Sequence, residues 1–218
     1  MTSKIDKFAA QLIEAEHTRV GIDPLTTVDP EITIDEAYYI QLQNIKKKLV
    51  EGQKIVGKKI GLTSVAVQKM LGVDEPDYGH LLDSMVVENG GTIDIKTMLQ
   101  PKIEGEIAFI LKKDLKGPNV TVLDVLQATD YVVPALEIVD SRVQDWKIKL
   151  QDTVADNASS GLVVLGGKPT KIEDIDLELI GMVLIQNGEV ANTGVGAAAL
   201  GNPASCVAWL ANRLADYD

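Results

Sequence analysis

Glu104 and Glu106 stand two residues apart in Ile103-Glu104-Gly105-Glu106-Ile107-Ala108-Phe109-Ile110. The apolar residues around them predict a strand, in which side chains alternate between faces. Ile103, Gly105, Ile107 and Phe109 then share one face, and Glu104 and Glu106 share the other with Ala108 and Ile110. Two carboxylates side by side repel each other, more so when partly buried. A divalent cation between them turns that cost into attraction. The alternative is a face open to water with both acids solvated. A third acid, Glu137, interrupts the apolar run from Val132 to Val139. A buried glutamate needs a partner. Arg142 meets that need as an ion pair, and a metal shared with Glu104 and Glu106 meets it equally well. Three carboxylates with open positions suit magnesium or manganese, which keep exchangeable waters.

Composition narrows the metal chemistry. The 218 residues include two histidines, His17 and His80, and one cysteine, Cys206. A histidine-rich or cysteine-based zinc site is therefore excluded, and oxygen ligands favour hard cations. A lone cysteine forms no internal disulfide, which fits a reducing compartment such as the cytoplasm. The net charge of −11 disfavours nucleic acid and anionic membranes as partners. No apolar run approaches the roughly 20 residues of a membrane span. The acid-containing N-terminus does not read as a signal peptide.

Other polar groups are candidates. In Gly57-Lys58-Lys59-Ile60-Gly61-Leu62-Thr63-Ser64 the lysines alternate faces, so one points inward, and the pattern does not say which. Thr63 or Ser64 caps the next helix, whose first amides can meet a ligand carboxylate, making both candidates for substrate binding. Asp77, in Pro76-Asp77-Tyr78-Gly79-His80, is either an acid–base group or a turn former. The small polar segment Gln151 to Gly161, with Asp156 and Ser160, reads either as a pocket wall or as a turn.

The elements that must position these groups follow from periodicity and caps. A helix is predicted over 4–17, with Ile5, Phe8, Leu12 and Ile13 on one side. A Pro- and Thr-rich link leads to a capping box, Thr33 with Glu36, that opens a helix over 34–51. Strands are predicted at 54–62, 103–112, 131–140 and 162–165, and a helix at 64–71 stopped by Gly72. Residues 74–92 read as turns and short extended pieces, and Thr121 with Asp124 caps a short helix. Asn187-Gly188 predicts a hairpin joining 182–185 to 189–193, and Asn202-Pro203 starts a last helix reaching about Ala215. Irregularly interspersed strands and helices predict an α+β fold, with a helical N-terminal lobe at 1–52 and a strand-rich catalytic domain at 53–218.

The runs GKKIGLTS (57–64), EPDYG (75–79), QPKIEGEIAFILKKDLKGP (100–118), PALEIVDSR (134–142), WKIKLQDTVADNASSG (146–161) and NGEVANTGVGAAALGNPASCVAWLANRL (187–214) carry a resemblance. They are similar, in order and over nearly the whole chain, to the hydratase/decarboxylase branch of the fumarylacetoacetate hydrolase superfamily. The resemblance implies a mixed β roll with peripheral helices behind a helical N-terminal lobe. It places the metal ligands at Glu104, Glu106 and Glu137, and an active-site lysine at Lys59. Asp77, Asp156 and Ser160 fall on positions that line the family's substrate pocket. Glu104-Gly105-Glu106 with the following AFILKKDL, and Asp145-Trp146-Lys147-Ile148-Lys149, side with the hydratases of the branch.

The implied reaction is metal-dependent hydration of 2-hydroxypenta-2,4-dienoate to 4-hydroxy-2-oxopentanoate, in meta-cleavage degradation of aromatics. Lys59, its pKa depressed by the cation, would stabilise negative charge or shuttle a proton, and Asp77 would be an acid–base group. The alternatives are 4-oxalocrotonate decarboxylase activity, C–C bond hydrolysis (disfavoured by the scarcity of histidine) and a non-catalytic partner subunit of the decarboxylase. The resemblance also implies a homo-oligomer and association with that decarboxylase. Family members continue past the last helix, so the expectation is that C-terminal strands of the roll are missing from this chain.

Overall fold

The computed structural model describes residues 3–217. The chain opens with helix α1 (Lys4–Thr18), a single turn α2 (Leu25–Val28) and helix α3 (Ile34–Val50). Strand β1 (Ile55–Gly61), helix α4 (Val65–Leu71) and strands β2 (Asp77–Leu82), β3 (Val86–Val87) and β4 (Lys102–Leu111) follow. Helix α5 (Val122–Ala128) leads directly into β5 (Thr129–Val139). Helix α6 (Leu150–Ala155), strands β6 (Ser160–Leu165), β7 (Gly181–Gln186) and β8 (Glu189–Val195), and helix α7 (Pro203–Leu214) complete the order. Strands pair in three sheets: β1–β2 antiparallel, β3-β6-β5-β4 with β3 and β6 parallel, and β7–β8 antiparallel. This is the α+β class expected, with mixed pairing. Among the described residues no helix is long and apolar enough to cross a membrane.

Local chemistry explains most boundaries. The Thr33 hydroxyl accepts from the Glu36 amide, and the Glu36 carboxylate accepts from the Thr33 amide, so two orphan donors of α3 are satisfied reciprocally. Thr121 and Asp124 do the same for α5, and Ser3 and Asp6 for α1. Asn187 and Gly188 both take positive φ and turn the β7–β8 hairpin. Two elements differ from expectation. Residues 25–28 form a helical turn rather than pure link, and 150–155 form α6 rather than a turn. One buried carboxylate accounts for both: Asp152 accepts from the Lys149 amide at the start of α6, and from the amide and hydroxyl of Thr26 in α2. Neither segment has apolar periodicity of its own, and the bond that organises them spans 126 residues.

The chain divides into two compact units. One takes the chain up to Gly61, Asp77–Glu104 and Glu137–Val164. In it α1 and α6 pack on α3, Tyr38 stacks on Tyr78 with ring centroids 4.7 Å apart, and Ile45, Leu82 and Met85 form a buried cluster. The other unit takes Leu62–Pro76, Gly105–Leu136 and the chain from Leu165. Its core gathers Val125, Leu177, Ala204 and Ala208, with Phe109, Leu115 and Val207 packed against them, and α5 lies on α7.

Candidate metal and acid–base site

The β1–β2 pair has two chemically distinct faces. Antiparallel register sets Lys59 opposite Gly79 and Gly61 opposite Asp77, and directly opposed residues share a face. Lys59, Gly61, Asp77 and Gly79 therefore lie together. Lys58, Ile60, Tyr78 and His80 occupy the other side, which answers the question the lysine pair left open. Both glycines on the first face are required by space. A Cβ on Gly61 would run into the Asp77 carboxylate and Lys59 Nζ. One on Gly79 would run into the carbonyl of Asn157 and the hydroxyl of Ser160.

Lys59 Nζ donates to the Ala158 carbonyl at 2.9 Å and lies 3.4 Å from Glu137 Oε1. The latter is an ion-pair contact, too long to satisfy the oxygen as a hydrogen bond. Glu137 is buried, and its Oε1 has no hydrogen-bond partner. Burial raises its pKa against the opposing charge of Lys59, and Glu104 raises it further. Asp77 is 2% exposed and its Oδ1 lacks a partner of normal geometry. Its Oδ2 accepts a long hydrogen bond from Thr153 at 3.4 Å. Burial raises the Asp77 pKa; Lys59 and Thr153 oppose the shift and Glu104 adds to it. One ammonium thus faces several carboxylates, and two buried oxygens are left over.

Glu104 and Glu106 are carried by the continuous strand β4, and Glu137 by its sheet neighbour β5. One carboxylate oxygen from each of the three lies within 4.8 Å of the others. Glu104 is exposed and Glu137 buried, so the group runs from solvent inward. Oxygen-only donors, excess negative charge and the unsatisfied Glu137 oxygen fit a hard divalent cation.

Arg142 does not pair with Glu137. Its amide donates to Asp156 Oδ2 at 2.9 Å, its Nε to Asp156 Oδ1, and its two terminal nitrogens to the carbonyls of Ser160 and Asp156. Burial opposes its charge, but Asp156 and Glu16 outweigh that and hold it protonated. Of Asp156 and Ser160, both expected at the pocket, Asp156 sits with Arg142, whereas Ser160 offers Arg142 its carbonyl and turns its hydroxyl toward Gly79 on the Lys59 face. Asp156 is taken up by Arg142, and the Ser160 hydroxyl donates to the Asn157 carbonyl at 2.7 Å. Thr63 and Ser64 belong to the other unit. Ser64 caps α4, accepting from Val67, and the Thr63 carbonyl accepts from Leu200.

Three further residues escaped the sequence reading. Gln41 on α3 donates to the carbonyls of Tyr78 and Val154, so its Oε1 faces His80 Nδ1 at 3.0 Å and that nitrogen carries the proton. Burial, then the charge of Lys58, lowers the His80 pKa to about 3, so the ring is neutral. Asn157 accepts from the His80 amide and donates to the His80 carbonyl. Asn157, Ala158 and Ser159 all take positive φ, at 56°, 51° and 52°. Such a run costs roughly 1–2 kcal/mol per residue for non-glycine side chains, so the surrounding bonds must hold it. The cluster of small polar residues at 151–161 was the available signal, but composition alone does not reveal a left-handed turn.

Comparison with known proteins follows this layout. Residues 47–215 match the family described as Fumarylacetoacetate (FAA) hydrolase C-terminal. A 2-hydroxypent-2,4-dienoate hydratase of Pseudomonas putida is 51% identical over 214 residues, spanning 98% of this chain and 96% of that protein. A 2-keto-4-pentenoate hydratase of Paraburkholderia xenovorans (strain LB400) is 50% identical over 98% of this chain and 80% of its own. Among solved structures, 4-oxalocrotonate decarboxylase from Pseudomonas putida G7, complexed with magnesium and adipate, superposes with a TM-score of 0.94 at 42% identity. That match covers 98% of this chain and 81% of the decarboxylase chain. The chain belongs to the fumarylacetoacetate hydrolase family.

Proposed function

We propose that the chain hydrates 2-hydroxypenta-2,4-dienoate to 4-hydroxy-2-oxopentanoate. The observation that carries this is the Glu104, Glu106 and Glu137 group beside a half-buried Lys59 and a buried Asp77, in a chain about half identical to two hydratases. Glu104, Glu106 and Glu137 would hold magnesium or manganese, which supplies Lewis acidity toward the carboxylate and 2-oxygen of the substrate when bound. Asp77, whose burial favours its protonated form, donates a proton to the far carbon of the dienol as the 2-hydroxyl loses its own. Water then adds at carbon 4 and a proton at carbon 3, giving the 4-hydroxy-2-oxo acid. Lys59, anchored by the Ala158 carbonyl, faces the negative charge that develops on the oxo acid. Its neighbour Gly61 keeps room for the Asp77 carboxyl. Thr63, Ser64, Asp156 and Ser160 belong to this reading as candidates around the substrate. Asp156 serves by fixing Arg142 and the segment that follows.

The test is turnover of freshly generated dienoate, followed by loss of its ultraviolet absorbance, with and without chelator. Chelation should abolish turnover, and added magnesium or manganese should restore it. Full turnover after exhaustive chelation would overturn the metal assignment.

A second reading, decarboxylation on the same scaffold, is favoured by the 0.94 TM-score to the decarboxylase. Release of carbon dioxide from 4-oxalocrotonate separates the two. The family reading further proposes a homo-oligomer, alone or with a decarboxylase, which light scattering of the pure and mixed proteins would test.

A further inference from the structure

Among the described residues strand β2 pairs with β1 alone. At its other edge, both backbone groups of His80 are taken by a side chain: the His80 amide donates to Asn157 Oδ1 at 2.7 Å, and Asn157 Nδ2 donates to the His80 carbonyl at 2.9 Å. The Asn157 side chain thus does what a neighbouring strand would do. It does so from the first position of the left-handed run Asn157-Ala158-Ser159. Both ends of that run are tied. The Ser160 hydroxyl donates to the Asn157 carbonyl, and the Asp140 amide donates to the Ser159 carbonyl at 2.8 Å.

Between the clamp and Lys59 stands Gly79. It faces Lys59 across the β1–β2 ladder, and its missing side chain is what lets the Asn157 carbonyl lie against the strand. The run therefore reaches over Gly79, and its middle residue presents the Ala158 carbonyl to Lys59 Nζ at 2.9 Å. Ala158 and Ser159 are buried, so packing holds the middle of the run, but not its first residue. A cavity of about 220 Å³ opens beside Asn157 and Ser160. At Asn157 the strained run borders open space, so the bonds to His80 are what hold that end of it.

We infer that Asn157 is a positioning residue for the reaction: by gripping His80 it holds the left-handed turn whose Ala158 carbonyl aims the Lys59 ammonium. The inference rests on the proposed hydration for its kinetic consequence, but not for its geometry. A lysine with four rotatable bonds samples several positions unless its ammonium is tied, and the Ala158 carbonyl gives it a hydrogen bond of 2.9 Å, shorter than the 3.4 Å contact to Glu137. Fixing it beforehand removes that freedom from the barrier, and misplacing a catalytic group by about 1 Å costs on the order of 100-fold.

The experiment compares wild type, Asn157→Ala and Asn157→Asp. The alanine loses both bonds to His80, whereas the aspartate keeps the acceptor for its amide and loses the donor to its carbonyl. Three readouts are taken on the folded proteins, checked by thermal melts. Trace acetylation with acetic anhydride, mapped by peptide mass spectrometry, reports access to Lys59 relative to Lys58. Dienoate turnover gives kcat and KM, and Mn2+ titration gives metal affinity.

The expected result is faster Lys59 labelling in both variants, with kcat falling about 100-fold in the alanine variant. The aspartate variant should fall in between, with KM and Mn2+ affinity held within about two-fold. If the alanine variant does not fold, the aspartate variant carries the test. Unchanged Lys59 labelling and kcat in either folded variant would overturn the inference. So would a loss of kcat that only follows the loss of folded protein. If wild type fails to turn over dienoate while Lys59 labelling still shifts, the positioning role stands and the proposed hydration falls.

Discussion

Arg142 and Asp156 are as deeply buried as Glu137 and Asp77, which flank the half-buried Lys59, and both groups lie in the same unit of the chain. The first pair is closed: both oxygens of Asp156 are engaged, and every Arg142 nitrogen group reaches an acceptor within that segment. The second is open. Lys59 donates to the Ala158 carbonyl at 2.9 Å and meets Glu137 at 3.4 Å, and Glu137 and Asp77 each keep an oxygen without a hydrogen bond of normal geometry. Burial raises the pKa of both, as it also pushes Asp156 up to about 6, so the contrast between the groups lies in their hydrogen bonds and not in their titration. Charges buried for structure are satisfied within the protein, because an orphan costs several kcal/mol. Charges left unsatisfied in a native interior mark a place where something else binds or a proton moves.

Exchanging the cation of each group breaks the comparison most strongly. Arg142→Met leaves Asp156 buried without its partner and should cost about 3–5 kcal/mol in urea unfolding. Lys59→Met removes a hydrogen bond to one carbonyl and a 3.4 Å ion-pair contact rather than a fully bonded carboxylate pair, and should cost only about 1 kcal/mol, yet it should lower kcat by about 100- to 10,000-fold. Equal stability losses in the two variants would erase the distinction between closed and open groups.

Asp77→Asn sharpens the same contrast within the open group. It removes a buried, poorly satisfied acid and keeps the shape, so thermal stability should hold or rise slightly, while kcat falls about 100-fold or more. A marked drop in melting temperature would instead make Asp77 a structural partner of Thr153 and Lys59.

Much of this was legible locally and little of it globally. Two-residue alternation placed Glu104 and Glu106 on one face of β4. The capping boxes at Thr33 and Thr121, the Asn187-Gly188 turn and the Asn202 cap lie where short-range chemistry puts them. Periodicity could not choose between Lys58 and Lys59, because that depends on β2 bringing Gly79 and Asp77 opposite. Nor could it find α6, whose start is held by Asp152 bonding to Thr26, or the partner of Arg142, fourteen residues away at the far end of α6. The site's ligand types were written in the sequence, but its closed and open pairings are set by tertiary register.

His80 gives the smallest predicted effect near neutral pH and tests the opposite face of β1–β2. Its folded pKa of about 3 lies below the ordinary 6.5, so the neutral ring is favoured by folding. Its contribution is fully present above pH 6.5 and is lost as pH falls from there toward 3. The slope is at most about 1.4 kcal/mol per pH unit. His80→Asn keeps a donor for Gln41 and should flatten the acid limb of a stability–pH profile without shifting it near neutrality. An unchanged acid limb would show that His80 is not the group being protonated.

The central claim is that Glu104, Glu106 and Glu137 form one cation site. Titration of the purified chain with Mn2+, followed by electron paramagnetic resonance of the free ion, tests it most directly. Wild type should bind one Mn2+ per chain, and Glu106→Gln, folded to the same melting temperature, should lose that binding and the turnover with it. Undiminished Mn2+ binding by Glu106→Gln would contradict the account.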